Sequence, residues 1–119
     1  MRVDLPWPPS ALKPNGSHGH WSKKSTAAKR YKADCAIVCR AAGLHPVTVE
    51  SAHLSLRFCP PDRRRRDIDN MLATVKYGLD AISEAIGVDD QHFGFTLTRG
   101  EPVKGGSVQV TITETGVFE

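Results

Sequence analysis

A chain of 119 residues, 39% apolar and 24% charged, has the size and composition of one soluble domain, expected to span residues 1–119. No apolar run approaches the ~20 residues that cross a bilayer, and no charged-then-apolar leader opens the chain, so a cytoplasmic protein without membrane partners is expected. The net charge is only +3 but uneven: Lys13–Arg66 carries twelve Lys/Arg against three Asp/Glu, and Asp67–Glu101 carries two against seven, a basic half for phosphates beside an acidic half for a cation.

Arg2-Val3-Asp4-Leu5 alternates and starts a strand, which Pro6, Pro8 and Pro9 end. Residues 10–22, rich in Gly, Ser, Asn and His, read as a loop. From Ser25 to Ala42, Ala28, Tyr31, Cys35, Val38, Cys39 and Ala42 recur at three- and four-residue steps, the stripe of a helix that Gly43 stops. Cys35, Cys39 and Cys59 form neither a disulfide framework nor a Cys-x-x-Cys zinc pair, and read as buried thiols. Residues 47–59 alternate as a strand closed by Pro60-Pro61. A second helix from Asp69 to Ile86 carries a stripe of Met71, Leu72, Val75, Leu79, Ile82 and Ile86. A strand with Phe93, Phe95 and Leu97 follows. Gly100, Pro102, Gly105 and Gly106 predict a hairpin loop, and Val108, Val110 and Ile112 the last strand. The order β-α-β-α-β-β is that of an α+β fold, a mixed sheet of about four strands with two main helices packed on it.

Arg63, Arg64, Arg65 and Arg66 run directly into Asp67-Ile68-Asp69-Asn70. Four adjacent guanidinium groups repel unless an anion lies across them, and two neighbouring carboxylates repel unless a cation sits between them. A nucleic acid and a divalent metal relieve both strains. Mg²⁺ suits such oxygen donors. The plainer reading of Asp67 or Asp69 is a helix cap. Asp89 and Asp90 lie beyond a helix of ~18 residues, roughly 27 Å long, so they meet Asp67 and Asp69 only if the next strand folds back along it. Lys76, seven residues after Asp69, either reaches a phosphate or pairs with Asp80 four residues on. His18, His20, His45, His53 and His92 have no ligand spacing. Trp7 and Trp21 stack on bases or, as the safer reading, pack at the domain edge.

With these motifs in this order, nearly the whole chain resembles the RusA family of Holliday junction resolvases. The resemblance rests on Leu5-Pro6-Trp7-Pro8-Pro9-Ser10, Pro61-Asp62 with the arginine run, Asp67-Ile68-Asp69-Asn70, Asp89-Asp90-Gln91, Lys104-Gly105-Gly106 and Thr111-Ile112-Thr113-Glu114. It implies a homodimeric, Mg²⁺-dependent endodeoxyribonuclease, with Mn²⁺ as a substitute and no small-molecule cofactor. Such enzymes resolve four-way DNA junctions by paired symmetric nicks in recombination and repair, and are often carried by prophages. Asp67, Asp69 and Asp90 match the essential metal-binding carboxylates. Lys76 joins them as a catalytic residue, although the family's lysine position holds Ala73 here and Lys76 comes one helical turn later. Arg63–Arg66, Lys13, Lys23 and Lys24 are the expected DNA contacts. The alternatives are a non-catalytic DNA-binding accessory protein and a metal nuclease acting on other branched DNA.

Overall fold

Alternation along the strands decides which side of the sheet is buried. In the computed structural model, which describes residues 1–13 and 21–116 with the side chains of 21–23 excepted, β1 (Arg2–Pro6) buries Val3 and Leu5. β2 (Ser51–Cys59) buries Ala52, Leu54, Leu56 and Phe58. β3 (Phe93–Arg99) half-buries Phe93 and Leu97, and β4 (Ser107–Thr115) buries Val108, Val110 and Ile112. The strands form one mixed sheet in the order β1-β4-β2-β3; β4 runs antiparallel to both its neighbours and β3 runs parallel to β2. The α+β class and the four-stranded mixed sheet are as the sequence implies.

The helices cover the apolar side. Helix α1 (Trp21–Ala41) packs on α3 (Lys76–Ile86) and on β1. Gly78 lets the three elements close: a Cβ there would lie 3.0 Å from Leu5 Cδ1, 3.2 Å from Cys35 Sγ and 3.3 Å from Tyr31 Cε2. The Tyr31 hydroxyl donates to the Pro6 carbonyl at 2.7 Å, tying α1 to the end of β1. Cys35, Cys39 and Cys59 are free and buried, as expected. Among the described residues no helix is long and apolar enough to cross a membrane.

Four boundaries differ from the sequence reading. Helix α1 begins at Trp21 instead of Ser25, and β2 at Ser51 instead of residue 47. The second helix is interrupted at Val75, giving α2 (Ile68–Thr74) and α3. Thr74 Oγ1 donates back to the Asn70 carbonyl at 2.6 Å, a bond that competes with the helix ladder and bends it. Lastly, β3 and β4 are not a hairpin. The connection crosses the end of β2, where Gly100 N donates to Phe58 O (2.8 Å) and Val103 N to Pro60 O (2.9 Å), and β4 inserts between β1 and β2. The long alternating face of β4 is thereby paired on both edges, which a hairpin on β3 would not achieve. The predicted loop residues His18 and His20, and the side chains of Trp21 and Lys23, lie outside what is described.

Candidate nucleic-acid and metal site

Pro60 and Pro61 end β2, and the chain then folds around Asp62. Its Oδ1 accepts from Arg64 N at 3.0 Å and from Arg66 Nη1 at 2.8 Å. The Arg66 bond, followed by the Arg64 amide, holds the Asp62 carboxyl below the usual carboxylate range. Arg66 also donates to the carbonyls of Asp62 and Arg64, each at 3.3 Å, and its guanidinium carbon sits 5.6 Å from the centre of the Trp7 ring. Arg99 at the end of β3 donates to the Arg66 carbonyl at 2.7 Å.

The four arginines are therefore unequal. Arg66, 20% exposed at its side chain, braces the segment. Arg63 and Arg64 are each 83% exposed, with long ion contacts to Glu101 (3.8 Å) and Asp62 (3.7 Å) that add little in water. Arg65 is exposed and has no ion pair among the described residues. A cavity of about 600 Å³ opens beside the run, bordered by Lys13, Arg64, Arg65, Arg66 and Asp67, with Trp7 in its apolar wall. Lys24, half-buried near the start of α1, does not border it.

Asp67 occupies the N-cap of α2, yet its side chain makes no capping hydrogen bond. The plainer reading of this residue thus loses its support: the carboxylate is exposed and has no ion pair among the described residues. Asp69 stands in the first turn of α2, also exposed.

The other acidic group gathers around α3 and the short 3-10 turn Asp90–His92. Asp89 accepts from Gln91 N at 3.0 Å, which lowers its carboxyl below the ordinary value. Burial, then the neighbouring charge of Asp90, raise the carboxyl of Asp80, while Lys32 and Lys76 pull it back. Lys76 is exposed at the start of α3 and acts on Asp80 through its field, with no ion pair among the described residues.

The two acidic groups stand apart within one chain. Arg99, the last residue of β3, is bonded to the residue before Asp67, whereas Asp90 precedes the first residue of β3 by three. Seven strand residues at about 3.3 Å each place roughly 20 Å between those ends. Among the described residues no three His, Cys, Asp or Glu side chains come together as a metal would require.

No protein-family model matches the chain. It is 30% identical over 116 residues to the crossover junction endodeoxyribonuclease RusA of Escherichia coli K12, covering 96% of this chain and 94% of that protein. The RusA of Enterobacteria phage 82 is 31% identical over 119 residues, with the same coverage of both chains. An uncharacterized protein of Xylella fastidiosa is 36% identical over 115 residues, covering 93% of this chain and 74% of its own length. The chain belongs to the RusA family.

For this RusA-family chain, the structure brings Arg64, Arg65, Arg66, Lys13 and Asp67 to one cavity, and Asp90 and Lys76 to the surroundings of Asp80. Two residues gain a setting that the sequence does not show. Asp80 enters the sequence only by its four-residue spacing from Lys76, and its neighbourhood with Asp90 depends on how the turn packs on α3. Asn70, the last residue of the Asp67-Ile68-Asp69-Asn70 motif, also borders the cavity.

Proposed function

We propose that this RusA-family chain is an endodeoxyribonuclease that resolves four-way DNA junctions by paired, symmetric nicks, acting in recombination and repair from a prophage-type element. The observation that carries the reading is Asp67, a carboxylate freed of any capping role at the rim of a basic cavity. Around it the protein offers phosphate ligands on one side and metal ligands on the other.

The donors fit Mg²⁺, or Mn²⁺ in its place. Asp67 and Asp69 are exposed carboxylates without hydrogen-bond donors among the described residues, the hard oxygen chemistry such ions select. Asp90 would complete the set. Because Asp90 sits at the opposite end of β3 from Asp67, we assign it to the neighbouring copy of a homodimer, so that each site takes Asp67 and Asp69 from one subunit and Asp90 from the other. When bound there, the ion supplies polarisation of a phosphate oxygen and a lowered pKa for water.

The chain's own groups do the rest. Arg65, with Arg63 and Arg64, holds the backbone phosphates on either side of the cut. Lys76, arriving with Asp90, offsets charge that builds on the phosphoryl oxygens. Cleavage leaves a 5′-phosphate and a 3′-hydroxyl, ends that a ligase joins. Two-fold symmetry in the protein matches two-fold symmetry in the junction and gives paired cuts.

Replacing Asp69 by Asn tests this directly. The variant is expected to bind a synthetic junction as tightly as the wild type or tighter, and to lose cleavage in Mg²⁺ by at least a hundredfold. Wild-type cutting by Asp69→Asn would refute the assignment. Binding without cutting by the unaltered protein would make it a non-catalytic accessory factor instead.

A further inference from the structure

The cavity beside the arginine run has a feature that phosphate binding leaves unused. A phosphate needs cations alone, but one wall here is aromatic and apolar: Trp7, Phe58 and Met71 border the same space as Lys13, Arg64 and Arg65. The Trp7 ring is held in place. Phe58 meets it edge-on, with centroids 6.5 Å apart and planes at 86°. Arg66, itself fastened to Asp62 at 2.8 Å, lies over it. Gly106 (φ 73°) presses so close that a Cβ would come 2.7 Å from Trp7 Cβ. A ring braced on three sides loses little freedom when something packs on it.

The charge around this wall is unspent. Asp62 is committed to Arg66 and Arg64, while Arg65 and Lys13 have no ion pair among the described residues. The volume of about 600 Å³ falls in the range of pockets that enclose small ligands. The occupant must then be flat and apolar on its faces, polar at its rim, and attached to a phosphate. An apolar peptide would waste the cations and a free phosphate would waste the wall.

We propose that this cavity takes a single unpaired nucleobase of the bound DNA, packed against the Trp7 wall, with its adjoining phosphate on Arg65 and Lys13. Asn70 at the margin offers an amide to the base edge. The strand leaving the cavity passes Asp67, so an extruded base sets which phosphodiester lies at the metal ligands. A branch point supplies such a base cheaply, because bases there are already poorly stacked. The proposal rests on the nucleic-acid reading of the site, not on cleavage.

The test is a cycle between the base and Trp7, measured as affinities of the full chain without divalent metal. One probe is a duplex with one unpaired nucleotide; the other is an immobile four-way junction. Each is made with the base present and with an abasic sugar in its place. Deleting the base is expected to weaken wild-type binding roughly 5- to 100-fold, to change Trp7→Ala binding less than twofold, and to leave Trp7→Phe close to wild type. Trp7→Leu, which keeps apolar bulk against Phe58, replaces the alanine variant if that does not fold. Equal base dependence in wild type and Trp7→Ala, or none in wild type, overturns the proposal. A junction cut normally in Mg²⁺ with no base dependence sinks the pocket and spares the resolvase reading. Base dependence on the bulged duplex with no junction cleavage does the reverse.

Discussion

Arg65 and Arg66 are neighbours of identical chemistry with opposite duties. Arg66 spends its guanidinium on Asp62, two carbonyls and the Trp7 face, whereas Arg65 is exposed, with no ion pair among the described residues. Arg66→Ala is expected to cost about 1–2 kcal/mol of stability through lost charge-assisted bonds, visible as a lower midpoint in urea. Arg65→Ala should leave that midpoint in place and instead reduce the slope of log K against log salt for DNA by about 1. The cysteines give a second test. Burial pushes the Cys35 thiol up to about 12 and the Cys39 thiol up to about 11 from an ordinary 9.0. Both stay protonated in the folded chain after the unfolded thiols have ionised, so their contribution to stability is whole below pH 9.0 and is lost as pH climbs toward those values. Iodoacetamide near pH 8 should leave native Cys35 and Cys39 unmodified and label both in denaturant, read by mass. That arginines and carboxylates meet at residues 63–69 was plain in the sequence, since their mutual repulsion is a local fact. Which arginine became a brace was not, because Trp7 reaches Arg66 only after β1 and β2 have paired through β4.

Between elements, α1, α3 and β1 close on one another at Gly78. Gly78→Val places its branches against Leu5, Cys35 and Tyr31, and overpacking of this kind costs about 1–3 kcal/mol. The gain in helix propensity over glycine, below about 1 kcal/mol, does not offset it. Urea unfolding should show a net loss, and an unchanged midpoint would mean that α1 can shift away. The strands were legible because the period of two is written locally: Ala52, Leu54, Leu56 and Phe58 are buried as their alternation demands. The break at Val75 was not, because the apolar stripe runs through it unbroken. It is the Thr74 hydroxyl on the Asn70 carbonyl that loosens the ladder there.

At the scale of the whole molecule, the parallel pairing of β2 with β3 governs the site. It carries Arg99 to Arg66 and leaves Asp90 at the other end of the strand. If each metal site draws on two subunits, two inactive variants should repair one another. A mixed dimer of Asp69→Asn and Asp90→Asn has one site with both lesions and one with none. Co-refolding the two variants is expected to restore nicking of a single junction strand, while each alone stays inactive. No recovery across a range of mixing ratios would place all three carboxylates in one subunit.

From its sequence alone this chain declared its family and the inward side of β1, β2 and β4, because motif order and hydrophobic period are written between near neighbours. The strand order and the insertion of β4 between β1 and β2 emerged only with the folded sheet. Those depend on pairings between residues some forty to a hundred positions apart, which no local pattern encodes.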